Sequence, residues 1–503
     1  MTTAQDASHT GESSPDASQA TATGTSTRLY SPDLAPTKKE GRNWSGYSVF
    51  TLWANDVHSL GNYAFALGLF ALGLGVWDIL AAFLLASLFL FGLLTLSGYM
   101  GSKTGVPFPV MSRIAFGVKG AQLPAMIRGG VAIAWFGIQT YLAATVLSAL
   151  LKALIPSLAS WEQTSVLGLS ALGWVSFLGL WVIQVLIVSF GMDAIRKYVE
   201  LAAPAVLITM LALAVWMFAK ADMSIAMDAG NAFTGADRWL HILQAAALWV
   251  VIYGTFVLNF CDFTRSAKSN RSINIGNLVG IPVNMLFFAG IVVVLSGAQF
   301  KLDGRVVTSA SDIVQTIPNT FLLVLASLAL IVLTVAVNLM ANFVAPVYTL
   351  VNLFPRKLNF RRAGVVSASI GLVILPWNLY NNPVVVNYFL GGLGALLGPV
   401  FGIVMADYWL IRKTRVHVPH LYTEHPEATY AYRKGINPRA VGAFVPAAAV
   451  AVVIALVPAF KGISGFSWFI GALLAALLFV VLPGRPGVPE EDVDGEDIAV
   501  PSV

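Results

Sequence analysis

Charge is what this sequence has least of: Asp, Glu, Lys and Arg make up 11% of its 503 residues, where a soluble globular chain carries about a quarter. So few charges cannot clothe a soluble surface. With 57% hydrophobic residues and a mean hydropathy of +0.76, the chain reads as a polytopic membrane protein whose partner is the lipid bilayer. Cysteine is limited to Cys261, which excludes an intramolecular disulfide. No glycine-rich phosphate-binding motif and no His or Cys cluster with metal spacing occurs, so covalent chemistry, a cofactor and a metal centre are not expected. The net charge of +5 is dispersed in short segments between apolar runs, which argues for helix orientation and against a nucleic-acid partner. Residues 1–45 lack a basic region followed by an apolar core, the mark of a signal peptide. They are expected to form a disordered cytoplasmic tail, as are residues 484–503.

What the chain does have is length of apolar run. About 20 residues of helix cross a hydrocarbon core about 30 Å thick, and twelve transmembrane helices are expected at 47–72, 79–100, 122–151, 166–191, 198–219, 240–261, 275–298, 320–346, 364–381, 385–411, 438–459 and 464–483. Alternate connections collect Lys103, Arg113, Lys119, Arg196, Lys197, Arg265, Lys268, Arg271 and the basic loops after 354 and 411, whereas the others hold only Lys152, Lys220, Arg238, Lys301, Arg305 and Lys461. The positive-inside rule then puts both termini in the cytoplasm of a multi-pass plasma-membrane protein. Arg128, in the first turns of span three, is expected to snorkel to the headgroups. The segment GSKTGVPFPVMSRIAFGVKGAQLP is expected to hold a short helix along the inner surface.

Against this background the polar residues inside spans stand out, because an ionisable group there costs about 2.5–3.5 kcal/mol on insertion scales and normally faces a cavity or the protein interior. Span one holds Asp56 and His58, with Gly61 and Asn62 close behind. Both are poor helix-interior residues, so WANDVHSLGN is expected to unwind. Span six has a matching candidate in VVIYGTFVLN around Gly254. Two breaks five spans apart are what a five-plus-five repeat would contain, and broken helices are where transporters hold ions and polar substrates.

Spans three and eight add facing pairs, Trp135 with Gln139 and Asn338 with Asn342, each four apart and so on one helix face. An amide offers a donor beside an acceptor, matching the N–H and C=O edge of a pyrimidine, purine or hydantoin, and Trp135 could stack on its flat face. The bland alternatives are interhelical hydrogen bonding for a lone amide, packing for a lone Trp and helix capping for Asp56. Gln184 and Asn259 are expected to be structural.

The segments IAWFGIQTYLAA, LNFCDFTR, NLMANFVAPVYTLVNLFPR and GPVFGIVMADYWLIRK, in that order, resemble the nucleobase:cation symporter-1 family, closer to its allantoin and uracil permeases than to its cytosine carriers. The resemblance implies an all-α fold in which spans 1–5 (46–219) and 6–10 (240–411) form two inverted repeats and 438–483 adds two C-terminal helices. It also implies that Trp135 stacks on the substrate, that Gln139 and Asn342 read its edge with Asn338 nearby, that Ser59 faces the substrate, and that Tyr253 replaces a Trp on the opposite side of the ring. Where sodium-coupled members carry Ser and Thr, TVAVN has Ala336 and Val337, which offer a hard cation no oxygen. The expectation is therefore a secondary active transporter, not an enzyme, importing uracil, allantoin or a related nucleobase or hydantoin. Coupling is expected to be to protons through Asp56 or His58, with sodium coupling and passive facilitation as the alternatives.

Overall fold

A computed structural model describes residues 24–227, 231–304, 319–484, 487–489, 491–495 and 498. Among them, nine helices are long and apolar enough to cross a membrane. The other three of the twelve spans are interrupted, and none of their helices is both long and apolar enough. The first consists of α1 (Gly46–Val57) and α2 (Leu60–Ala71). It is followed by α3 (Val76–Thr104), short α4 (Phe108–Met111) and α5 (Arg113–Phe116), α6 (Gln122–Leu154), α7 (Ala171–Ser189) and α8 (Met192–Lys220). The sixth span consists of α9 (Gly235–Ile252), α10 (Gly254–Asn259) and α11 (Cys261–Thr264). The chain continues through α12 (Asn270–Leu278), α13 (Asn284–Asp303), α14 (Thr320–Asn338), α15 (Val344–Leu353), α16 (Phe360–Val373), α17 (Pro376–Tyr380), α18 (Pro383–Met405), α19 (Pro438–Leu456) and α20 (Ser467–Val481). A π-helical turn joins α12 to α13 at Val279–Val283, and another joins α14 to α15 at Leu339–Phe343.

The break in span nine was not foreseen. Leu375 takes a left-handed conformation, φ +51°, directly before Pro376, where proline disfavours helix in the preceding residue. The indole of Trp377 then donates to Leu167 O at 2.8 Å, in the turn of the small hairpin Ser165–Val166/Leu169–Ser170.

The spans form a five-plus-five inverted repeat with two further helices. α6 packs on α14 and α15, α1 packs on α12 and α8, and α19 and α20 pack on each other and on α18. The last contact depends on small residues. A Cβ on Gly398 would lie 2.2 Å from Trp468 O and one on Gly402 2.0 Å from Ala472 O, so GPVFG lets two backbones touch without a side chain between them.

The ends of the helices at residues 46, 104 and 122 define one face, called here the basic face. Two short helices, α4 and α5, lie there and are buried. The tail expected to be disordered is ordered from residue 24 onward. Leu29 and Leu34 are buried, Thr37 N–H donates to Gly105 O, and the Arg265 guanidinium donates to Thr37 Oγ1, Asp33 O and Ala35 O. Composition suggested disorder, but these backbone carbonyls are anchored by Arg265, directly after α11. The C-terminal tail is likewise anchored in part, with Lys103 2.9 Å from Asp492. Residues 1–23 and Arg305 lie outside the described residues.

Candidate functional site

The interruption of span one is short. His58 and Ser59 alone leave helical geometry, and both flanking ends are capped from within. Ser59 Oγ accepts from Asn62 N–H at 3.2 Å, starting α2. The Asn62 amide reaches back to donate to Asp56 O at 2.8 Å and Val57 O at 3.3 Å, satisfying carbonyls that the end of α1 leaves orphaned. The predicted unwinding of the whole WANDVHSLGN stretch is thus confined to two residues. Span six kinks at Tyr253 with its backbone still in the helical region.

Between these breaks and the faces of α6 and α14–α15 lies a cavity of about 380 Å³. Asp56, Ser59, Trp135, Gln139 and Asn342 all line it, with Asn62, Phe65, Thr255 and Phe256. The two amides are not equivalent. Gln139 Oε1 is buried without a hydrogen-bond partner, and its Nε2 sits 3.5 Å from where a Cβ on Gly61 would be, so the bare glycine makes room for it. Asn342 sits in the π-turn and donates one N–H to Asn338 Oδ1 at 3.0 Å. Trp135 is half-buried beside them.

Three predicted residues stand behind the cavity wall. Asn338 is occupied by the protein: its amide lies 3.0 Å from Phe136 O, 3.0 Å from Thr140 Oγ1 and 2.8 Å from Gln184 Oε1. It orients Asn342, and Gln184 is structural as expected. Tyr253 is also a correction. Its ring packs 5.8 Å from Trp249 and 6.3 Å from Trp53, and its hydroxyl meets Asn62 Nδ2 at 3.2 Å and the Asp56 carboxylate. Phe65 and Phe256 supply the aromatic wall instead. His58 faces away: Nδ1 is 2.8 Å from Tyr63 Oη and Nε2 3.2 Å from Asn284 Oδ1. Asn284 Nδ2 contacts Trp53 O at 3.4 Å. That contact leaves Oδ1 to accept from Nε2–H, so the neutral ring has a partner at each nitrogen.

Asp56 is the one titratable side chain among the described residues of the lining. It stands near the C-terminus of α1, where the helix dipole disfavours negative charge, and its carboxylate is met by a neutral phenol. Asn62, read from sequence only as a helix breaker, is both a cap and part of the lining. Its signal was an amide one turn beyond a capping serine. Arg128 does not snorkel. It is 1% exposed and donates through Nη2 to Ala341 O at 2.9 Å and through Nε to Thr255 O at 3.3 Å and Asn259 Oδ1 at 3.1 Å. Neighbouring helices offer it carbonyls that the headgroup route does not. No group of three or more His, Cys, Asp or Glu side chains that could hold a metal occurs among the described residues.

Residues 36–471 match the model of a family described as permeases for cytosine/purines, uracil, thiamine and allantoin. The chain is 34% identical over 464 residues to an allantoin permease of Bacillus subtilis (strain 168), covering 91% of this chain and 94% of that one. It is 33% identical over 434 residues to a purine-uracil permease of Arabidopsis thaliana, covering 86% and 72%. Its fold is similar to that of a nucleobase-cation-symport-1 family transporter solved in a closed conformation with bromovinylhydantoin bound, with a TM-score of 0.72, 24% identity, and 90% and 94% of the two chains covered.

Proposed function

Because the chain belongs to the family of permeases for cytosine/purines, uracil, thiamine and allantoin, and is thus a membrane-embedded secondary transporter, we propose that it imports a small planar heterocycle by alternating access, in symport with protons. The substrate class is uracil, allantoin or a related nucleobase or hydantoin. It lies on Trp135, with its alternating N–H and C=O edge read by Gln139 and Asn342 and its far side against Phe65 and Phe256. Ser59 and Asn62 complete the polar rim at the break. The observation that carries this reading is that Gln139, whose Oε1 is buried without a partner, lines a cavity of about 380 Å³ together with Trp135. A buried acceptor left unmade costs about 1–3 kcal/mol, and a ring N–H of the substrate would supply its partner.

Asp56 carries the coupling proton. Proton binding needs only one side chain, whereas a hard cation needs several oxygens, and Ala336 and Val337 of span eight provide none. Proton entry at Asp56 removes a charge from the cavity wall, so the bilayer-embedded site can change its face of exposure without carrying an unpaired charge. The basic face is cytoplasmic, in keeping with the distribution of Lys and Arg.

Two measurements on vesicles test this. Labelled uracil and allantoin uptake, each challenged by the other and by hydantoin and cytosine, assigns the substrate, and indifference to all four would remove the heterocycle. Uptake driven by a pH gradient, and then by sodium alone, assigns the ion. Full accumulation on sodium that a protonophore leaves unchanged would transfer the coupling to sodium.

A further inference from the structure

The geometry points to Arg128 as the latch that closes the cavity toward the basic face, a positioning residue of the transport cycle. Arg128 precedes Trp135 by seven residues on α6, about 10 Å along the axis and within about 20° of the same face. It therefore lies two turns directly beneath the stacking position, with cavity-lining Val131 between. At that level its guanidinium joins three spans: it donates to Thr255 O in α10 and to Ala341 O in the π-turn before α15. Thr255 and Ala341 both line the cavity. The π-turn matters here, because its irregular pairing leaves a carbonyl free to accept from outside the helix.

The latch is tied to the buried short helix α4 on the basic side of the protein. Arg128 Nε meets Asn259 Oδ1 at 3.1 Å, Asn259 Nδ2 meets Asp262 Oδ2 at 2.7 Å, and Asp262 Oδ1 accepts from Phe108 N–H at 2.6 Å. The chain of contacts thus runs from the cavity floor to the first residue of α4 on the basic face. Asp262 supplies the counter-charge at one remove. A solute leaving the cavity toward that face must part α6 from α10 and α15, and so must break the Arg128 bonds first. The closed arrangement is also poised to open. Arg128 Nη1 is buried without a partner, a cost that hydration of the opened path relieves. Such an element can have two states of similar free energy, which is what a gate requires.

The test follows thiol reactivity in the full chain in membrane vesicles, using a membrane-permeant maleimide. Single cysteines are placed at Val131, on the basic side of the cavity, and at Phe65, on the opposite side, in a Cys261→Ser background. Arg128→Met should raise the labelling rate at Val131→Cys several-fold and lower it at Phe65→Cys, because releasing the latch shifts the population toward opening on the basic face. Arg128→Lys should fall between. A merely structural role predicts that both rates rise together, and that result, no change, or any other pattern overturns the proposal. If Arg128→Met does not reach the membrane, Asn259→Leu severs the tie to Asp262 while keeping the carbonyl bonds, and should give the same two signs with smaller amplitude. No substrate is added, so the outcome is independent of which heterocycle is carried.

Discussion

Asp56 and His58 stand two residues apart at the same helix break, and their surroundings have little in common. The aspartate turns to the cavity, with a phenol as its side-chain partner. The histidine turns into a packed aromatic layer, its ring centroid 5.4 Å from that of Phe288, with both nitrogens bonded. Residues two apart on a helix point about 200° apart, so the C-terminal turn of α1 already sends Asp56 and His58 to opposite sides, and the break follows directly after His58. One side is left incompletely satisfied and open to ligand; the other is saturated and rigid. A polar residue in a membrane span is thus functional or structural according to whether its partners are already in the protein.

That contrast can be broken by substitution. The largest effect is expected for Asp56→Asn, which keeps shape and hydrogen bonding but cannot carry a proton. Accumulation driven by a pH gradient should fall to background while exchange of labelled for unlabelled substrate persists, and preserved accumulation would clear Asp56 of coupling. Next comes Trp135→Ala. Stacking of a base on an aromatic ring contributes about 1–3 kcal/mol, so the apparent KM should rise about 5- to 150-fold, and unchanged kinetics would return Trp135 to packing. The smallest effect belongs to the saturated side. His58→Gln should cost about 1 kcal/mol of stability from imperfect hydrogen bonds, read as a lowered Tm in detergent. The pH profile of uptake should keep its shape, and a shifted profile would bring His58 back into coupling.

Much of the fold was legible because the bilayer imposes a simple code. Apolar length gave the twelve spans, and the pairing of Gly61–Asn62 with Gly254 located both repeat-related breaks. The i, i+4 spacing of Trp135 and Gln139 put both on the cavity, since a helix preserves that relation wherever it is placed. The same spacing failed for Asn338 and Asn342. The π-turn at Leu339–Phe343 adds a residue to the turn and alters the wheel, so one amide lines the cavity and the other supports it. Arg128 was misread because a buried arginine bonded to carbonyls of distant spans looks, in sequence, identical to one near a headgroup. The break at Leu375 was signalled by Pro376, but not the left-handed turn that carries it. The ordered residues 24–45 were hidden for the same reason as Arg128, since their partners lie hundreds of residues away.

The central claim is that amide edges from α6 and the π-turn after α14 converge on one flat heterocycle. The most direct measurement is equilibrium binding of labelled allantoin and uracil to the purified protein, the Gln139→Ala and Asn342→Ala variants and their double variant, each checked for folding by its Tm. Saturable binding of at least one ligand, weakened in each single variant and by less than the sum in the double, is the expected result, because groups that read one ring edge are coupled. Wild-type affinity in the double variant would contradict the account.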